Sequence, residues 1–98
     1  MRSLGYLEAL NEALHQELAR DPDLIVIGED LRDGSRGASH GLYHAFPDRV
    51  LDTPISEAAF TGFATGTAVS GLRVVVEFQN PSLEYVAMDQ LVNQAVKL

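Results

Sequence analysis

Apolar residues recur at Leu7, Leu10, Leu14 and Leu18, with Ala9 and Ala13 on the same side. This spacing predicts an amphipathic helix from Leu4 to Arg20. Ser3 is its expected cap, and Glu8, Glu12 and Glu17 fall largely on the solvated side. Asp21-Pro22-Asp23 ends it, because proline biases its predecessor away from helix and cannot donate. The pattern then changes. Leu24-Ile25-Val26-Ile27 is a short, β-branched, wholly apolar run, which predicts a strand buried on both faces as in a parallel sheet. Gly28-Glu29-Asp30 closes it. Leu31 to Gly41, rich in Gly, Ser, Arg and Asp, reads as a surface loop. A short helix from Gly41 to Phe46 follows, ended by Pro47-Asp48.

Arg49-Val50-Leu51-Asp52 predicts a second short strand, and Pro54 fixes the turn into a helix from Glu57 to about Ser70. Ser56 is the expected cap, its hydroxyl accepting from a first-turn amide. Gly62 and Gly66, four apart, share a face of that helix and imply close approach of another backbone. Gly71 ends it. Arg73 to Phe78 predicts a third strand. Asn80-Pro81-Ser82 is expected to start a last helix, with asparagine as cap and proline in the first turn. Tyr85, Met88, Val92 and Ala95, with Leu91 beside them, mark its expected buried side. Strands alternating with helices predict an α/β fold: a parallel sheet with flanking helices and right-handed crossovers.

Composition narrows the function classes. The 98 residues, 46% hydrophobic, suffice for one modest core. The chain closes on Gln94-Ala95-Val96-Lys97-Leu98, inside an apolar-periodic run without a stop signal, so it reads as the N-terminal part of something longer. Its apolar helix faces then lack their partners, and the isolated stretch is expected to be molten or to aggregate. A net charge of −7 with no basic stripe argues against a nucleic-acid partner. The absence of cysteine removes disulfides, thiolate catalysis and Cys-ligated metals. No stretch looks like a secretory signal or a bilayer span, so no membrane association and an intracellular protein are expected.

The chemistry-bearing residues are few. In an open α/β sheet, ligands bind where strand carboxyl ends meet helix starts, and Glu57 stands at such a start. It is either a glutamate complementing the helix dipole or a partly buried carboxylate fit for proton transfer. Glu29, at the first strand's end, has the same two readings. Asp89 falls near the apolar side of the last helix, so it is either exposed or functional. His15, His40 and His44 lack metal-ligand spacing. Gly34, Gly37 and Gly41 lack the setting of a phosphate-binding fingerprint, and Ser56 has no nucleophile elbow around it.

Gly28-Glu29-Asp30, Asp52-Thr53-Pro54-Ile55-Ser56-Glu57-Ala58, Ala68-Val69-Ser70-Gly71-Leu72-Arg73, Glu77-Phe78 and Asp89-Gln90-Leu91-Val92-Asn93-Gln94-Ala95-Val96-Lys97 occur in this order. Together they resemble the N-terminal region of the beta subunit of thiamine-diphosphate-dependent 2-oxo acid dehydrogenases, the pyruvate, branched-chain and acetoin enzymes. The resemblance spans nearly the whole chain. It implies that residues 1–98 are the N-terminal part of a transketolase-like pyrimidine-binding domain. The reaction implied is oxidative decarboxylation of a 2-oxo acid with acyl transfer to a lipoyl group.

The glutamate matching Glu57 contacts the aminopyrimidine of thiamine diphosphate in that family and relays acid–base catalysis through it. Glu29 matches a glutamate on an acidic, water-lined passage thought to link paired active sites, and Asp89 an acidic position near it. Gln79 stands where relatives commonly carry methionine, and Leu83 where they carry phenylalanine. Both positions border the cofactor, so its apolar wall would be thinner and more polar here. The loop from Arg32 to Ser39 is also unlike its relatives.

The Gly-Asp-Gly diphosphate signature is absent from the chain. The resemblance therefore implies an alpha subunit that holds the diphosphate and Mg2+, a second beta subunit in a heterotetramer, and a lipoyl acyltransferase core. It implies a cytoplasmic location, or the mitochondrial matrix for a eukaryotic source. A non-catalytic assembly or regulatory fragment and a split transketolase-type enzyme are the alternative readings.

Overall fold

A computed structural model describes residues 2–33 and 37–98. Three parallel strands, β1 (Leu24–Gly28), β2 (Val50–Asp52) and β3 (Arg73–Glu77), form an open sheet in the order β2-β1-β3. Val26 pairs with Val50 on one side and with Val75 on the other, so the most apolar run takes the centre.

The two faces of the sheet divide the core. Leu24, Val26 and Val50 pack with Leu18 of helix α1 (Tyr6–Arg20) and Leu42 of the short helix α2 (Leu42–Ala45). Ile27 points the other way, onto Phe60 and Ala64 of helix α3 (Glu57–Val69), with Ile25, Val74 and Val76 around it. This alternation is the period of two that a strand imposes, and it explains why every residue of the central strand is apolar.

Several expectations are corrected. Helix α1 begins two residues later than predicted, capped at Gly5 rather than Ser3, and Glu8 reaches back to accept from the Gly5 N–H at 2.9 Å. Of its apolar stripe only Leu18 is buried; Leu7 and Leu10 are exposed, because the sheet lies under the helix's C-terminal end alone. The stretch read as a surface loop buries Leu31 and Ser39, the first within the α1-side core; residues 34–36 of it lie outside the described part.

Ser56 precedes α3, yet its hydroxyl makes no capping bond. Gly62 is approached not by backbone but by the Gln90 amide, which would lie 2.8 Å from an added Cβ, and Gly66 faces open space. The predicted last helix is two pieces: a 3-10 turn at Pro81–Tyr85, where Asn80 makes no capping bond, and a π-helix at Asp89–Val96. The change from a tight 3-10 turn to a wider π-helix breaks the single expected α-helical face: Tyr85, Met88 and Val92 are exposed while Ala87 is fully buried.

Arg49 locks the α1–β1 corner. Its guanidinium donates to the carbonyl oxygens of Leu18 and Asp21, each at 2.6 Å, and lies 5.1 Å over the Phe46 ring. Beside it, Arg73 of β3 pairs with the Asp21 carboxylate. No helix among the described residues is long and apolar enough to cross a membrane.

Candidate functional site

The chain leaves β1 for β2 on one side and returns, through α3, to β3 on the other. The carboxyl end of β1 is thus a topological switch point, where an open sheet forms its ligand crevice. Gly28 ends the strand there. An added Cβ would stand 2.7 Å from the Glu77 carbonyl oxygen, so only glycine lets β3 come this close. The Gly28 carbonyl meanwhile accepts from the Thr53 N–H at 2.9 Å, which ties the segment after β2 to the same point.

Glu29 follows, 6% exposed, and Glu57 opens α3 at 7% exposed. The two carboxyls interact directly. Burial pushes the Glu29 carboxyl up from its ordinary value, reinforced by its hydrogen bond to Glu57, by the charge of Glu57 and then by that of Asp30. Its Oε1 is buried with no hydrogen-bond partner, as is the Oγ1 of Thr61, one turn along α3 from Glu57. A carboxyl raised by burial, with an unused oxygen, is suited to hydrogen bonding with a nitrogen heterocycle.

Asp30 adopts a left-handed conformation, φ 56°, a state aspartate tolerates better than most residues. The Gln79 amide donates to its Oδ2 at 3.1 Å. Gln79 thus sits at the carboxyl end of β3, one residue's reach from Glu29. Leu83 rides half-buried on the 3-10 turn, and Asp89 is exposed, accepting from the Asn93 amide at 2.8 Å. The structure brings Glu29, Glu57 and Gln79 to one edge of the sheet and leaves Asp89 on the surface.

A cleft of about 320 Å³ opens next to the pair, walled by Ile27, Leu51, Pro54, Phe60 and Phe63, with Ser56 on its rim. Neither glutamate lines it. No group of three His, Asp or Glu among the described residues could hold a metal ion. His40 and His44 are exposed, and the ring Nδ1 of His15 lies 2.9 Å from the Asn11 carbonyl oxygen.

Two features of the site escaped sequence reasoning. Gly28 reads from the sequence only as a strand end and part of the resemblance; that it must be glycine comes from the neighbouring strand β3. Asp30 had a weak signal, an aspartate at a strand exit, where left-handed turns are common.

Residues 2–97 match the family model described as the transketolase pyrimidine-binding domain. The chain is 46% identical over 93 residues to rice pyruvate dehydrogenase E1 component subunit beta-1, mitochondrial, covering 92% of this chain and 25% of the relative. The yeast mitochondrial pyruvate dehydrogenase E1 component subunit beta is 45% identical over 99 residues, 98% of this chain and 27% of its own. The beta subunit of acetoin:2,6-dichlorophenolindophenol oxidoreductase from Cupriavidus necator is 41% identical over 108 residues, 98% of this chain and 32% of its own. The chain thus spans between a quarter and a third of the length of these relatives. With its parallel sheet, its switch-point crevice and the paired glutamates at that crevice, the chain belongs to the transketolase pyrimidine-binding domain family.

Proposed function

We propose that this chain is the N-terminal portion of the beta subunit of a thiamine-diphosphate-dependent 2-oxo acid dehydrogenase. The observation that carries the reading is the buried Glu29–Glu57 carboxyl pair at the switch point. Thiamine diphosphate, when bound, supplies a carbon nucleophile and an electron sink for decarboxylating the 2-oxo acid. The residues fit its aminopyrimidine end. Glu57 is buried, is fixed by the first turn of α3, and faces a second carboxyl that burial raises above its ordinary value.

Glu57 would hold a proton at the ring nitrogen, and Glu29, hydrogen-bonded to it, would hand protons to and from Glu57. Burial keeps competing water from both oxygens. Gln79, at the end of β3, and Leu83, on the turn after it, would border the ring. The chain has little to offer a diphosphate, since its net charge is −7 and its glycines form no phosphate loop. Those groups and Mg2+ fall to an alpha subunit. Two alpha and two beta chains with a lipoyl acyltransferase core complete the proposed assembly, in the cytoplasm or, for a eukaryotic source, the mitochondrial matrix. Pyruvate and acetoin remain the two substrate classes that the relatives' names offer.

The test is Glu57→Gln in the complete beta subunit assembled with its alpha partner. Decarboxylation should fall by about a hundred- to ten-thousand-fold, the usual weight of a positioned acid–base group, while assembly is kept. Turnover near that of the wild type would refute the role.

A further inference from the structure

Gln79 and Asp30 form a contact that the acid–base reading does not use. Asp30 immediately follows Glu29 and is held in the left-handed region at φ 56°. Its Oδ2 accepts from the Gln79 Nε2 at 3.1 Å, which links the exit of β1 to the exit of β3. An exposed aspartate in an unconstrained turn would swing its charge into water. This one is tethered across two strand ends.

We propose that Gln79 is a positioning residue that acts on the Glu29–Glu57 pair through Asp30, its amide fixing the Asp30 carboxylate at the mouth of β1. The inference rests on the proposed function only in what the pair is for. The charged groups that act on Glu29 are Glu57, from α3, and Asp30, from its own strand exit. Glu77 of β3 pairs in register with Gly28 and so shares the α1 face with Val75, opposite to Val76 and the α3 side. A fixed anion at Asp30 opposes ionisation of Glu29 and so adds to the upward push that burial and Glu57 give its carboxyl. A methionine side chain at position 79 would have the length of glutamine but no donor, and Asp30 would be free to turn outward.

The experiment uses the complete beta subunit assembled with its alpha partner, without cofactor. Thermal unfolding is followed from pH 4 to 9 for each variant alone and combined with Glu29→Gln; the difference isolates the titration of Glu29. Its carboxyl is raised in the folded state, so the glutamate form loses stability relative to the glutamine form as pH rises through the interval between its ordinary and raised values. Gln79→Met should lower the upper end of that interval by about half a pH unit, the scale of a single neighbouring charge moved into solvent.

Asp30→Asn keeps both the turn preference and an acceptor oxygen while removing the charge, and should lower it similarly. Gln79→Met placed on Asp30→Asn should add nothing further, which is the signature of two residues acting as one unit. An unchanged interval in Gln79→Met, or the same lowering in both backgrounds, would overturn the proposal. If the interval moves as expected but Glu57→Gln remains active, the positioning role stands and the catalytic reading is the one that fails.

Discussion

Glu29, one residue beyond the central strand, and Glu57, the first residue of α3, hold their carboxyls against each other out of solvent at the carboxyl edge of the sheet. Burial first, and the neighbouring Glu57 carboxyl second, raise the Glu29 carboxyl above its ordinary value. The arrangement therefore costs stability when Glu29 is forced to ionise. Active sites commonly carry such a cost.

A pH dependence follows from the upward displacement of Glu29, which burial causes first and Glu57 second. Its unfavourable contribution is absent below the ordinary carboxylate value of 4.5 and grows as pH rises toward the raised value. Glu29→Gln should therefore melt higher than wild type at pH 8, with the two curves converging near pH 4. Differential scanning calorimetry of the assembled protein checks this. A melting difference of constant size across that range would contradict it.

Asp21 carries the opposite sign. Its hydrogen-bonded pairing with Arg73, then the Asp23 N–H at 2.9 Å, hold its carboxyl below the ordinary value of 3.8. The stabilisation is complete above that value and is lost as pH falls through the lowered one. Asp21→Asn should thus be less stable than wild type at pH 7, with the gap narrowing in strong acid. Acid-unfolding curves of the two proteins measure it.

Arg49 should be among the more costly side chains to remove outside the site. Its fork supplies donors to carbonyls at the end of α1 and in the turn into β1, where the Asp21 oxygen also accepts from the Leu24 N–H at 3.2 Å. Arg49→Met keeps much of the stem packing on Phe46 but loses the charged hydrogen bonds, at a cost of about 2–3 kcal/mol. Arg49→Lys should recover only part, because a single ammonium does not reproduce the planar fork. Denaturant midpoints give both numbers.

The glycines separate cleanly by environment. Gly28→Ala would press a Cβ to 2.7 Å from the Glu77 carbonyl oxygen, a backbone atom, and should destabilise by about 1–3 kcal/mol. In the complete subunit it should also disturb the proton balance of the pair. Gly66→Ala meets nothing within 4 Å in this chain and should add about 1 kcal/mol of helix stability. Urea titrations of both variants set the contrast.

Local pattern alone carried a long way here. The apolar run Leu24–Ile27 demanded burial on both faces, and the alternation of strands with helices demanded a parallel sheet; both follow from side-chain period and from the need to hide apolar surface. The turn at Pro54 placed Glu57 at a helix start for reasons written within a few residues of it. Other outcomes depended on atoms distant in the chain. Whether Leu7, Met88 or Tyr85 is covered depends on which surface reaches it, and periodicity along one helix says nothing of that surface. The pairing of Glu29 with Glu57, the tether from Gln79 to Asp30 and the squeeze at Gly28 each join segments that meet only once β3 has crossed to the far side of β1. Those contacts, and the raised Glu29 carboxyl, belong to the tertiary structure because burial and charge proximity are properties of space rather than of spacing.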